Sequence, residues 1–94
     1  MMKNYNYSYI ILMYDINEKR VQKVFKICKK YLEHYQKSVF MGEITASNII
    51  KLRKELKKII NKKEDFVAII KMMNEKSFEI ESYGNEENED KDFL

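Results

Sequence analysis

The segment Tyr7-Ser8-Tyr9-Ile10-Ile11-Leu12-Met13-Tyr14 limits the fold more than any other part of this chain. Side chains alternate across a strand, so Ile10, Leu12 and Tyr14 fall on one face and Tyr9, Ile11 and Met13 on the other. A strand that is apolar on both faces belongs in the middle of a sheet, with material packed on each side. It ends in Asp15, which puts a carboxylate at the rim of the core. A metal or a substrate can reach a group placed there. The same residue type also shapes strand–helix turns, and the sequence leaves both readings open.

The other elements follow from periodicity. Residues 18–33 predict an amphipathic helix, with Val21, Val24, Phe25, Cys28, Tyr31 and Leu32 at helical spacing and Asn17 as its N-cap. Residues 35–43 predict a second strand, with Gly42 marking a bulge or bend near its end. Thr45 caps a second helix running to about residue 60, with Ile49, Leu52, Leu56, Ile59 and Ile60 as its stripe. Residues 66–73 predict another strand with two apolar faces. Residues 77–83, after a tight connection at 74–76, predict an edge strand in which Phe78 and Ile80 alternate with Glu79 and Glu81.

We assign this set to the α+β, ferredoxin-like βαββαβ plan: an antiparallel sheet with both helices on one face and the first and third strands central. The chain divides into one such domain over residues 1–84 and an acidic tail over 85–94. Two helices cover only one face, yet both central strands are apolar on both. A sheet-to-sheet homodimer is the simplest lid for the second face. A different partner protein, or a tail folded back over the sheet, also fits the pattern.

Charge supplies the next constraint. The net charge of +3 divides into −4 over residues 85–94 and +7 over the rest. A basic body suits an anionic partner, nucleic acid above all, although lysines also serve solubility alone. Lys19, Arg20, Lys23, Lys26 and Lys30 on the first helix and Lys54 and Lys58 on the second are the candidate nucleic-acid contacts. Such a surface follows a phosphate backbone without reading bases. Arg20 stands out, because its planar guanidinium can grip a phosphate through two parallel hydrogen bonds. Ser38 and Phe40 could add a hydroxyl and an aromatic platform, and Phe40 fits a core position equally well.

Cys28 is the only cysteine and His34 the only histidine, which argues against a disulfide and against zinc. The first residues lack the apolar stretch of a secretion signal, and no run approaches membrane-spanning length, so a cytoplasmic protein without membrane association is expected. If two sheets face each other about a dyad, the two Asp15 carboxylates could approach and would need a cation between them. Mg²⁺ prefers oxygen ligands and keeps several waters, and it can polarise a phosphodiester and activate water for attack.

Three stretches together resemble the CRISPR-associated endoribonuclease family, the small ferredoxin-like subunit of the spacer-acquisition machinery. They are Tyr9-Ile10-Ile11-Leu12-Met13-Tyr14-Asp15, the following Glu18-Lys19-Arg20-Val21-Gln22-Lys23-Val24, and Gln36-Lys37-Ser38-Val39-Phe40-Met41-Gly42-Glu43-Ile44-Thr45. The resemblance implies a homodimer with facing sheets and one Mg²⁺ shared between the two copies of Asp15. It implies metal-dependent cleavage of RNA or DNA, with Arg20 and, more weakly, Tyr14, Ser38 and Phe40 at the site. It also implies a second role, as a bridge that binds duplex DNA and the CRISPR integrase subunit. Asp92-Phe93-Leu94 could then dock the integrase or pair with the partner protomer.

Two competing readings remain. A ferredoxin-like regulatory or small-ligand-binding dimer without nuclease activity would carry a Gly-rich loop or clustered polar ligands, which this chain lacks. A nuclease toxin of similar size would call for a general base such as His, and His34 lies far from Asp15 in sequence.

Overall fold

The computed structural model describes residues 8–84. Strand β1 (Tyr9–Asp15) leads into helix α1 (Glu18–Tyr31), strands β2 (Glu33–Gln36) and β3 (Val39–Glu43), helix α2 (Ala46–Ile59) and strand β4 (Phe66–Met72), and a 3-10 turn (Glu75–Ser77) follows. The four strands form one antiparallel sheet in the order β2-β3-β1-β4. This is the expected βαββαβ ferredoxin-like plan. Tyr7 and the acidic tail of residues 85–94 lie outside the described residues.

The plan holds, but its strands are not the ones delimited from the sequence. Those segments put a single strand between the helices, and the structure makes two of it. The chain reverses at Lys37 and Ser38, so that residues 33–36 and 39–43 become the arms of a hairpin. Lys37 takes the left-handed conformation, with φ 46°. Such turns are usually announced by Gly or Asn, and this one is not, so the alternating pattern runs straight through it. The register irregularity falls on β2, between His34 and Gln36, and not at Gly42. Helix α1 stops two residues earlier than predicted because Leu32 is extended, and Glu33 already belongs to β2.

The last two predicted strands also change. β4 is an edge strand that pairs with β1 alone, not a central one. Residues 77–83 join no ladder among the described residues. The Asn74 side chain accepts the Lys76 N–H at 2.8 Å and turns the chain off the β4 edge. The chain then crosses the sheet face away from the helices. Phe78 meets Tyr9 with ring centroids 5.5 Å apart, and Tyr35 and Ser82 share a hydrogen bond of 2.8 Å.

Both helices are held at their starts by the predicted caps. Asn17 accepts the Lys19 N–H at 2.8 Å, and Thr45 accepts the Asn48 N–H at 3.1 Å. The core between helices and sheet contains Ile10, Leu12, Tyr14, Val24, Ile27, Cys28, Leu32, Phe40, Ile44, Leu52 and Leu56. Each fully buried aliphatic side chain contributes about 1.5–3 kcal/mol, so this cluster is what sustains so small a domain. Burial pushes the Cys28 thiol up to about 12 and leaves it protonated at neutral pH.

The opposite face is the one the helices leave bare. Direct antiparallel partners share a face, so Ile11, Met41 and Ile70 form one row and Met13, Val39 and Ala68 the next, with Asp15 and Phe66 at the end. Residues 78–83 pass over the Tyr9 and Tyr35 side of this face. The Asp15 side stays open: Phe66 is 63%, Ile70 45% and Met13 37% exposed.

Candidate metal and nucleic-acid site

Asp15 occupies the last position of β1 and points to the open face with Ile11 and Met13. It is exposed, and its carboxylate makes no hydrogen bond or ion pair with another described residue. It therefore has its full complement of lone pairs available to a ligand. Among the described residues no group of three His, Cys, Asp or Glu side chains could enclose a metal ion. Asp15 by itself offers one hard oxygen donor group. That set suits Mg²⁺, which retains much of its water, provided that a second carboxylate comes from another molecule.

The structure separates Asp15 from the residues expected to work beside it. Tyr14 points the other way, is only 6% exposed, and stacks on Phe40 with centroids 6.1 Å apart. Burial, with Cys28 nearby, pushes its hydroxyl up to about 12. Phe40 is completely buried and also meets Phe25 and His34, at 5.2 and 4.9 Å between centroids. Neither ring can present itself to a substrate. Adjacent strand residues face opposite ways, and Tyr14 lies on the helix side by that rule alone. Ser38 does stand at the Asp15 rim, in the hairpin turn, where its carbonyl accepts the Tyr14 N–H at 3.1 Å.

Arg20 has protein partners in place of a free phosphate grip. Its Nε donates to Asp65 Oδ2 at 2.7 Å, and its Nη2 donates to Asp65 Oδ1 at 3.1 Å and to Glu64 Oε1 at 2.7 Å. Asp65 also accepts the backbone N–H of Asn17 at 2.9 Å and of Asn61 at 2.7 Å. Its side chain is fully inaccessible. The Arg20 fork, followed by the two backbone N–H groups, holds the Asp65 carboxyl far below the usual carboxylate range. The sequence reading missed Asp65. The one available signal was an acid standing directly before a strand at the end of a basic helix–loop segment.

This depression carries a pH consequence. The unfolded carboxylate titrates near 3.9, so Asp65 contributes its full stability above about pH 4 and loses it as pH falls toward the native value. Thermal melts followed by circular dichroism should show wild-type Tm dropping steeply between about pH 4 and 2, and Asp65→Asn dropping less steeply over the same window. Parallel curves would contradict this account.

The helix layer carries the charge. α1 and α2 together hold eleven Lys and Arg against two Glu. Lys19, Lys23 and Lys26 are exposed along α1, and Lys54 and Lys58 along α2. Lys30 is tied to Glu55 at 2.5 Å, and Glu55 also accepts the Tyr31 hydroxyl. An exposed pair of this kind adds little to stability and is screened by salt. A concavity of about 550 Å³, lined by Tyr9, Lys29, Glu33, Glu43 and Glu75 among others, lies at the far end of β1 from Asp15. No helix among the described residues is long and apolar enough to cross a membrane.

Comparison with known proteins agrees with the fold. The family model described as CRISPR associated protein Cas2 matches residues 8–80. A CRISPR-associated endoribonuclease Cas2 from Thermotoga maritima is 44% identical over 82 residues, covering 87% of this chain and 94% of the relative. One from Dictyoglomus turgidum is 40% identical over 86 residues, covering 92% and 99%. Among solved structures, a Cas2 crystal structure superposes with a TM-score of 0.80 at 33% identity, covering 86% of this chain and 91% of the other. Streptococcus pyogenes Cas2 superposes with 0.72 at 26% identity, covering 81% and 99%.

Proposed function

The chain belongs to the CRISPR associated protein Cas2 family, and on that premise we propose that it is a divalent-metal-dependent endoribonuclease of CRISPR immunity that works as a homodimer. The observation that carries the reading is the placement of Asp15: a carboxylate without a partner among the described residues, at the uncovered end of an apolar sheet face. Two copies packed through Met13, Phe66 and Ile70 would bury that face and bring their Asp15 carboxylates toward one dyad. A Mg²⁺ ion shared there would polarise a phosphodiester and lower the charge repulsion between the two acids. Asp15 would hold the ion, the apolar rows around it would exclude water, and the lysine-rich helix layer would attract the nucleic-acid strand.

The same dimer suits a second role within the same reading, as a bridge that holds duplex DNA beside an integrase subunit. Its support is the helix layer, whose lysines are exposed and positive. The residues for this role are Lys19, Lys23, Lys26, Lys54 and Lys58, with Lys30 released from Glu55. Arg20 enters through Asp65, by shaping the site and not by touching the strand. The proposed tail contact falls on residues outside those described.

Sedimentation and cleavage together test the proposal. At micromolar concentration the protein should sediment as a dimer and cut single-stranded RNA in Mg²⁺ but not in EDTA. Ile70→Lys puts a charge on the open face without touching the helix-side core. It should give a folded monomer whose cleavage falls at least about tenfold. A wild-type monomer that cuts RNA at full rate would overturn the shared-ion reading.

A further inference from the structure

We propose that Asp65 is the positioning residue for Asp15, an inference that rests on Asp15 being the metal ligand. Two backbone segments decide where Asp15 sits. One is the turn into α1, whose cap residue Asn17 follows Asp15 by two positions. The other is the start of β4, where Phe66 pairs directly with Asp15 across the ladder. Asp65 is joined to both: it precedes Phe66 in the chain and accepts the Asn17 N–H at 2.9 Å.

The bonding leaves this carboxylate little freedom. Oδ1 accepts from Asn17 N and Arg20 Nη2, and Oδ2 accepts from Arg20 Nε and Asn61 N. All four donors converge on a side chain with no accessible surface. A buried carboxylate satisfied in this way fixes the relative position of its donors, because moving any of them leaves a polar group without a partner. Arg20 thereby clamps the first turn of α1 to the loop before β4. The Asp15 side chain has no bond to another described residue. Its place at the rim is inherited from the two segments that Asp65 ties together.

Position matters at such a site because two copies must meet. An error in one protomer is repeated in the other, and shared ions demand close, matched ligands. Residues that orient metal ligands from outside typically change metal affinity by about 10–100-fold when altered.

Asp65→Asn is the direct probe. Its amide nitrogen must replace one oxygen, and each oxygen faces two N–H donors, so either orientation sets donor against donor. Arg20→Lys is the milder variant: it keeps the charge and removes the two-pronged grip. Mn²⁺ serves as the paramagnetic probe, read by broadening of the Asp15 amide resonance in ¹⁵N-labelled protein. In wild type the Asp15 signal should broaden first. In folded Asp65→Asn the Mn²⁺ concentration for half-broadening should rise about tenfold. In Arg20→Lys it should rise by less, about threefold, because the charge and part of the hydrogen bonding remain. Shift changes in the variants should be confined to residues around 15–20 and 61–66.

A folded Asp65→Asn that broadens at the wild-type concentration would overturn the proposal. If Asp65→Asn does not fold, Arg20→Lys decides in the same way, and an unchanged half-broadening concentration overturns it. Failure of wild type to broaden at Asp15 at all would remove the metal-ligand reading itself, and this outcome is recognisable because it needs no variant.

Discussion

Asp15→Ala should lower Mg²⁺-dependent RNA cleavage by about two orders of magnitude or more and shift Tm by no more than about 3 °C. The two halves of this expectation have separate causes. The Asp15 side chain is exposed and bonded to no other described residue, so truncating it breaks nothing in the fold. The dimer proposal gives it the only protein carboxylate at the shared site in each protomer, so truncation removes both ligands at once. A hundredfold loss corresponds to about 2.7 kcal/mol of transition-state stabilisation, a modest demand on a lost metal site. Cleavage assays against Mg²⁺ concentration, alongside melting curves, would measure both. Cleavage that survives in highly purified Asp15→Ala would assign the activity elsewhere.

Phe40→Ala should destabilise the protein by about 3–5 kcal/mol, the usual cost of removing a buried phenyl ring. Phe40 is completely buried and lies where Tyr14, Phe25 and His34 meet, so no side chain can relax into the space without giving up its own contacts. Domains of this size hold only about 5–15 kcal/mol in total, and Tm should fall by more than about 12 °C. Urea unfolding would give the value directly. Phe40→Leu separates packing from chemistry, since it retains most of the volume. Below its melting temperature this variant should cleave RNA at close to the wild-type rate, as a core residue must. A large loss of activity in a well-folded Phe40→Leu would return the ring to the site.

The parts of the fold legible in the sequence were those written in local periodicity. The two helix stripes and their caps, Asn17 and Thr45, are recorded in residue spacing alone. So was the opposition of the two faces of β1, which separated Ile10, Leu12 and Tyr14 from Ile11, Met13 and Asp15. The hairpin within residues 33–43 was not legible, because Lys37 adopts a left-handed conformation without the glycine that normally marks one. The fate of residues 77–83 was also hidden. Their alternation suits a strand, but a 3-10 turn capped by Asn74 directs them over the open face.

The site divides along the same line. Asp15 stood out as the candidate ligand because a carboxylate ending a doubly apolar strand is unusual in its immediate context. Arg20 was identifiable as a charge, but not as the partner of Asp65, 45 residues away. Alternation already placed Tyr14 on the helix side, yet only packing revealed that its ring and that of Phe40 fill the core.

By itself, then, the sequence determined the helices, the faces of the central strand and the acid at its end, since each depends on neighbours within a few residues. Tertiary structure alone decided which strand lies at the edge, where the chain reverses, and which carboxylate Arg20 grips. These outcomes depend on hydrogen bonds and contacts between segments distant in the chain, and no local pattern encodes the geometry in which such segments meet.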